Sequence, residues 1–529
     1  MANKNILLIE PGYRNKYPPL GLMKIAAYHG PYGKKDNVRF IKGMSDKSVR
    51  ETNWDRIYIT TLFSFEWKEI SKTIDQVLAL ANGNTSKVFV GGIAASLMHE
   101  KFIAEPRWRG VRVINGLLSE APAISLKLDE FEGELYSDDR DGTPIEDLVP
   151  DYSILDQIKE QYQYPVYDAY FAYASRGCIR KCHFCGVPKL EGAQRDAQSI
   201  TALVKAIEER YGPKRDLMLM DNNVVASSNY KEIIAEIRDL GFVPGAKLTR
   251  PGRVPVYRRV DFNQGVDARI LCKDEMYLKE MSTICIKPLR IAFDHLGVKK
   301  PYETAIRMSH NVGLDELSNY MLYNFKDTPT DLYERMRLNI NLNEELGIRI
   351  FSFPMRFQPT DQPNRDHVGD HWSKHQLRSM QVILQATHGI VSGSPEFFME
   401  AFGNSSEEFE SLLLLPHHYI FNRVWYKQLD GKGELEEYKV LFNKLSDEAR
   451  QELKGLLSST TPKGIPGLFD RANSTEVKSI LRFYVPPKNE SDIWKEMKKR
   501  KITNNYEIPN IPEDELVEDA GLTENVRMN

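Results

Sequence analysis

Three cysteines fall within eight residues, Cys178, Cys182 and Cys185, in the run RGCIRKCHFCG. Three thiolates at this CxxxCxxC spacing suit three irons of a cubane [4Fe–4S] cluster. A closed electron-transfer cluster normally takes four cysteines. A three-cysteine set therefore leaves one iron open to a substrate or cosubstrate, which suits an enzyme and not an electron wire. Zinc is the competing metal, and a structural zinc site needs a fourth ligand. His183 sits between two of the cysteines, where a residue of so tight a loop points away. Cys272 and Cys285 stand among Ile270, Leu271, Ile284 and Ile286, as small buried hydrophobes do. Five cysteines in 529 residues are too few, and odd in number, for a disulfide framework. With no secretory signal at the start, this usage points to a reducing cytoplasm.

With Phe184 ahead of the last cysteine, the motif resembles that of the radical S-adenosylmethionine (SAM) superfamily. The resemblance implies Cys178, Cys182 and Cys185 as cluster ligands, with Phe184 beside the cluster and SAM. It implies that the open iron chelates the amino and carboxylate groups of SAM. One electron, from an external reductant of flavodoxin or ferredoxin type, then yields methionine and a 5′-deoxyadenosyl radical that takes a hydrogen atom from the substrate. The family usually meets the SAM amino group with a GGE-like triplet after the second core strand. Here Asp221-Asn222-Asn223 occupies that place.

The elements that must position these groups read as alternating strands and helices. Tyr167–Ala174 is a strand leading into the cysteines. It is followed by strands at Asp216–Asp221, Arg258–Val266, Lys287–Phe293, Leu317–Asn324 and Ile348–Met355, with helices between them. Six strand–helix units fit the partial (β/α)6 barrel of the superfamily. Active residues of such barrels lie at the carboxyl ends of strands, which selects Asn222, Asn223, Gln264, Asp267, Asp294, Asn324 and Arg356 as SAM or substrate contacts. Arg269 and Arg356 suit bidentate pairing with a carboxylate. His295, whose ring titrates near neutral pH, is the catalytic acid–base candidate. Asn and Asp after a strand are also ordinary turn residues.

Ahead of this core, NILLIE at 5–10, Val38–Ile41, Ile57–Thr61 and Val88–Val90 read as buried strands, with helices at about 20–28 and 67–81. That alternation predicts a Rossmann-like doubly wound α/β sheet. Ligands would bind beyond its strand ends, at 11–13, 61–64 and 91–94. The pieces ILLIEPGY, YPPLGLMKIAAY, VFVGG and NGLLSEAP resemble the cobalamin (B12)-binding-type domain found ahead of one class of radical SAM cores. The DxHxxG motif that supplies histidine to cobalt elsewhere is absent. Two readings follow: a cobalamin carrier serving methyl transfer or rearrangement, or a domain without the cofactor that serves as lid or substrate platform. No cysteine precedes Cys178, which disfavours a methylthiotransferase with a second cluster.

The expected fold class is α/β, with a mainly helical C-terminal region after the barrel. The expected domains are 1–128 for the Rossmann-like domain, 129–165 for an acidic linker, 166–360 for the radical SAM barrel, 361–500 for the helical domain and 501–529 for a mobile tail. His367, His371 and His375 are spaced for one helix face, but Gly369 and its polar neighbours favour a surface loop leading into a helix. The formal net charge of -3 makes nucleic acid an unlikely partner, although basic residues gather at Lys247–Arg259. No apolar run is long enough to span a membrane. The expected substrate is a small molecule or a peptide. The competing readings are a non-catalytic Fe–S electron carrier or partner-binding protein, and a zinc-stabilised nucleic-acid binder.

Overall fold

The computed structural model describes residues 3–43, 47–118, 143–391, 393–458, 462–487 and 490–501. The end of the NGLLSEAP piece from Ser119, the linker up to residue 142 and the tail from residue 502 lie outside the described residues. Contacts divide the chain into two compact units. One is Met1–Ile291 with Asn311–Leu314 and Gln358–His367. The other is Ala292–His310, Asp315–Phe357 and Val368–Asn529.

The first unit begins with a parallel sheet of β1 (Asn5–Glu10), β2 (Asn37–Lys42), β3 (Arg56–Thr61), β4 (Val88–Gly92) and β5 (Arg112–Val113), in the order β2-β1-β3-β4-β5. Ile6 to Ile9 of β1 are fully buried, because a central parallel strand is covered on both faces and reads as a continuous apolar run. The helix Trp67–Leu80 buries Ile70, Thr73, Ile74 and Val77, the i, i+3, i+4, i+7 stripe of an amphipathic helix. The strand order reverses between β1 and β3, which is where doubly wound sheets bind ligands.

A second parallel sheet in the same unit contains β6 (Ala169–Ala172), β9 (Asp216–Leu219) and β12 (Val260–Phe262), in the order β12-β9-β6. The helices Ile200–Tyr211 and Tyr230–Asp239 lie between its strands in sequence. Two antiparallel ribbons interrupt the alternation: β7 (Ser175–Arg176) with β8 (Arg195–Asp196), and β10 (Lys247–Leu248) with β11 (Val256–Tyr257). The strand expected over Tyr167–Ala174 stops at Ala172, because Ala174 and Ser175 donate their backbone N–H groups to Asp221 instead of to the ladder. The strand expected over Arg258–Val266 is short because the chain turns at Gly265, φ +79°. Beyond it, Val260 bridges to Ile286 and Val266 to Ile291, flanking β13 (Leu289–Arg290).

In the second unit, β14 (Glu316–Tyr323) and β15 (Arg349–Arg356) pair in parallel over eight residues. They are joined by the helix Pro329–Leu346, which starts on a Thr328–Asp331 capping box and ends at Gly347 in the left-handed region, the usual chemistry of a well-defined helix start and stop. Helices then follow from Lys374 to Lys499, around a core that includes Tyr419, Tyr438, Phe442 and Leu453. The first begins at Lys374, capped by Ser373, so His367 and His371 precede it and the three histidines share no helix face. Among the described residues no helix is long and apolar enough to cross a membrane.

Candidate metal centre and the strand ends around it

The cysteine loop is the long connection of the β7–β8 ribbon, closed at its neck by glycines. Cys178 donates its backbone N–H to Gly192 O (3.3 Å). Gly177 has φ +75°, and a Cβ there would lie 2.2 Å from Ala193 O, so only glycine fits. Within the loop, the Arg180 N–H donates to Cys178 Sγ and the Val187 N–H to Cys185 Sγ, each at 3.4 Å. Cys185 N–H donates to Cys182 O (3.1 Å). All three cysteines are half-buried and in no disulfide. Backbone N–H groups directed at sulfur are the hydrogen bonds that tune Fe–S thiolates, so the donor set fits a cluster. Among the described residues no three His, Cys, Asp or Glu side chains gather on one point as for a single metal ion. A cubane instead distributes its thiolates over separate irons.

Around the loop, the neighbouring strand ends act as braces. Glu191 Oε2 accepts from Gly177 N–H (2.8 Å) and Asn222 Nδ2 (3.0 Å), and it pairs with Arg176 (3.4 Å). Asn222 also donates to Gly177 O (3.4 Å). Asp221, just beyond β9, accepts from Ala174 N–H, Ser175 N–H and Ser175 Oγ. Burial pushes its carboxyl up to about 6, against the pull of those donors and of Arg176. From beyond β12, Asp267 accepts from Arg180 Nε (2.7 Å) and Arg269 Nε (2.8 Å). Burial alone would raise this carboxyl, but the guanidinium hydrogen bonds of Arg269 and Arg180 outweigh it and hold it below the ordinary range. Asn223 is buried, and its Oδ1 accepts from Asp267 N–H (3.3 Å).

Of the residues chosen from sequence, the structure therefore gathers Asn222, Asn223 and Asp267 onto the cysteine loop. Phe184 is half-buried within it, and Gln264 is exposed on the turn before Gly265. Arg269 reaches Asp267 rather than standing open for a carboxylate. The second unit holds the others. His295 is exposed, Asp294 and Arg356 are half-buried, and Asn324 is fully buried. Asn324 takes φ +67°, donates to Phe357 O (3.1 Å) and accepts from Gly369 N–H (2.8 Å). Its amide thus fixes backbone after β14 and β15. Burial pushes the Cys285 thiol up to about 11, as in a small hydrophobe. In the basic segment, Arg250 grips both oxygens of Asp168 (2.8 and 2.7 Å), Arg259 pairs with Asp216 and Arg258 lies over the Phe242 ring. These guanidiniums serve the fold.

Sequence reasoning missed Glu191 and Arg180, and it noted Asp221 only as the first residue of the triplet standing where the family has GGE. It also missed a buried network at the carboxyl ends of β1 and β2. There Lys42 Nζ meets Glu10 Oε2 (2.8 Å) and Asn15 Oδ1 (2.7 Å), and Asn15 Nδ2 reaches Glu10 Oε1 (2.7 Å). Tyr164 donates its hydroxyl to Glu10, and the ammonium lies over the rings of Tyr13, Tyr162 and Tyr164. Burial pulls the Lys42 ammonium down, and Glu10 opposes it. The signal available was a Glu and a Lys ending two strands that otherwise read as apolar.

No protein-family model and no curated protein matches the chain. Among solved structures it is similar to the radical S-adenosylmethionine methyltransferase TsrM from Kitasatospora setae, with cobalamin and a [4Fe–4S] cluster bound. Identity there is 14%, over 68% of this chain and 74% of that one, with a TM-score of 0.42. It is also similar to the cobalamin-dependent S-adenosylmethionine radical enzyme OxsB, at 13% identity, covering 96% of this chain and 82% of that one, TM-score 0.45. A third is HydG, a maturase of the [FeFe]-hydrogenase, at 13% identity, 81% and 96% coverage and TM-score 0.29.

Proposed function

We propose that this chain is a radical SAM enzyme, with Cys178, Cys182 and Cys185 holding a [4Fe–4S] cluster whose fourth iron takes SAM. The observation that carries the reading is the three-cysteine loop itself, closed by Gly177 and Gly192, with backbone N–H groups directed at two of its sulfurs. When bound, the cluster and SAM supply reductive C–S cleavage and hydrogen-atom abstraction.

The chain's own residues keep that loop in place. Glu191 and Asn222 hold its neck, Asp221 fixes the approach from β6, and Arg180 ties its middle to Asp267. On this reading Asp294, His295 and Arg356 are substrate contacts. The substrate is a small molecule or peptide, and electrons come from a flavodoxin- or ferredoxin-type carrier. Cobalamin would have to be held without an imidazole from the first sheet. The loops at 11–19, 61–64, 91–94 and 114–118 contain no histidine, so they do not fit a protein-ligated cobalt.

Anaerobic reconstitution with iron and sulfide tests the assignment. About four irons per chain, a reduced-cluster electron paramagnetic resonance (EPR) signal that shifts on adding SAM, and formation of 5′-deoxyadenosine and methionine with dithionite are expected. Substituting any one of the three cysteines by alanine should abolish all three. Zinc without iron in anaerobically purified protein would overturn the reading. An absorbance spectrum after growth with hydroxocobalamin separates the two forms of the N-terminal domain.

A further inference from the structure

Cys178 and Cys185 each accept a backbone N–H on sulfur, and the two N–H groups are held in different ways. Val187, which donates to Cys185 Sγ (3.4 Å), opens the helix Val187–Leu190. Helical geometry fixes the direction of its amide. Arg180, which donates to Cys178 Sγ (3.4 Å), belongs to no helix or strand. It stands midway between Cys178 and Cys182, where no ladder directs the backbone.

What anchors Arg180 is its side chain. Arg180 Nε donates to Asp267 Oδ2 (2.7 Å). The other oxygen of that carboxylate serves its own element. Oδ1 accepts from Arg269 N–H (2.9 Å), as the cap of the helix Ala268–Leu271, and from Arg269 Nε (2.8 Å). Asp267 N–H donates to Asn223 Oδ1 (3.3 Å), beyond β9. Asp267 is thus tied to the strand ends of the second sheet and turns one oxygen to the loop. An arginine in a short loop usually extends into solvent. This one makes a charge-assisted bond to an acceptor that is itself held, and a side chain fixed at its far end restricts the peptide that carries it.

Hydrogen bonds to the sulfurs help set the potential of an Fe–S centre. An N–H directed at sulfur favours the more negative, reduced state, so it raises that potential. We propose that Arg180 and Asp267 are a positioning pair that holds the Arg180 N–H on Cys178 Sγ and so raises the potential at which the centre takes its electron. This inference rests on the function proposed above. The electron comes from the flavodoxin- or ferredoxin-type carrier named there, which is oxidised by one electron as the centre is reduced by one. The pair only orients the amide and exchanges neither electron nor proton.

The test is an EPR-monitored redox titration of the full-length, anaerobically reconstituted protein without SAM, with iron content and melting temperature read alongside. Orientation and bare charge predict different signs. Arg180→Met should lower the potential by about 59 mV, the one-electron equivalent of a tenfold change in the reduction equilibrium, which is about what one hydrogen bond to a charged acceptor contributes. Asp267→Ala removes a negative charge, which alone would raise the potential. As loss of the anchor it should lower it, by less than Arg180→Met does. The double variant should fall no further than Arg180→Met. Arg269→Met takes a cation from the same carboxylate but leaves the Arg180 contact, and it should stay near wild type. If either main variant holds no iron, Asp267→Asn and Arg180→Lys, milder changes at the same atoms, carry the same signs. An unchanged potential in Arg180→Met overturns this inference alone. So does a rise in Asp267→Ala, or an equal fall in Arg269→Met, since either assigns the effect to charge. A wild-type chain that takes up no [4Fe–4S] cluster overturns the proposed function, and this inference with it.

Discussion

Gly177 carries the sharpest steric demand in the cysteine loop. A side chain there meets the Ala193 carbonyl and must also adopt the left-handed region, while Gly192, at φ +70°, has nothing within 4 Å of its Cβ position. Gly192→Ala should therefore cost only the backbone strain of an L-residue, about 1–2 kcal/mol. Gly177→Ala should cost more and should pull the loop from its neck. Iron and sulfide content after reconstitution, read beside the melting temperature, checks this: Gly177→Ala should lose iron and Gly192→Ala should keep it. Equal iron in the two would refute the role given to the neck. At this scale the cysteines were legible because their chemistry is written in their spacing. Glu191, Arg180 and the bracing role of Asp221 were not, because each acts across tens of residues of sequence: Glu191 on Asn222, Asp221 on Ser175, Arg180 on Asp267. Asn222 and Asp267 were found by the strand-end rule, which locates a position but does not distinguish a ligand contact from a brace.

Among the elements, the helix Pro329–Leu346 carries a charge that its sequence gives no reason to bury. Arg335 is fully buried. Its guanidinium donates to Phe293 O (3.1 Å), Asp294 O (3.0 Å), Leu322 O (2.8 Å) and Asp331 O (3.2 Å), and pairs with Asp327 (3.1 Å). It thereby fixes the backbone of two candidate strand ends. Lysine offers no planar fork, so Arg335→Lys should destabilise the second unit by about 3–5 kcal/mol, seen as a lower urea midpoint; a shift under about 1 kcal/mol would refute it. The β14–helix–β15 unit was legible from apolar runs and turn residues, whereas this anchor was not, since a lone arginine on a helix usually faces solvent.

The helical region adds a pH dependence. His375 stacks on His417 and its Nε2–H donates to Leu415 O (3.0 Å). Burial pulls both His375 and His418 down to about 4 and His417 well below its ordinary value. The unfolded chain then binds more protons than the folded one between about pH 4 and 6.5, so stability contributed by these rings is full above 6.5 and is lost as pH falls toward 4. For His375 or His418 the loss is on the order of 3 kcal/mol. Asp221 runs the other way: raised to about 6, it contributes most below about 4, and that contribution is gone once pH passes 6. Melting of wild type and His418→Phe at pH 7 and pH 5 should show a smaller acid loss in the variant. An equal acid loss would assign the sensitivity elsewhere.

For the first unit as a whole, the Glu10–Lys42 pair ties one sheet to the other. The acid and the ammonium end β1 and β2, while Tyr162 and Tyr164, which enclose them, precede β6. Neither sheet's sequence shows this link, because period and propensity describe elements one at a time and a buried ion pair exists only after they pack. Removing one partner leaves the other charged in a place water does not reach, at a cost of about 3–5 kcal/mol. Lys42→Met should therefore lower the urea midpoint strongly. Glu10→Gln with Lys42→Met, which removes both charges and keeps the shape of the acid, should be less destabilised than Lys42→Met alone, a coupling that independent sites do not show. Because the network joins the sheets, the visible absorbance of a reconstituted cluster, which reports on the second sheet, should bleach at the same lowered urea concentration as the loss of helical signal. Bleaching that stays at the wild-type midpoint in Lys42→Met would mean that the second sheet stands without the first, and that the network serves the N-terminal domain alone.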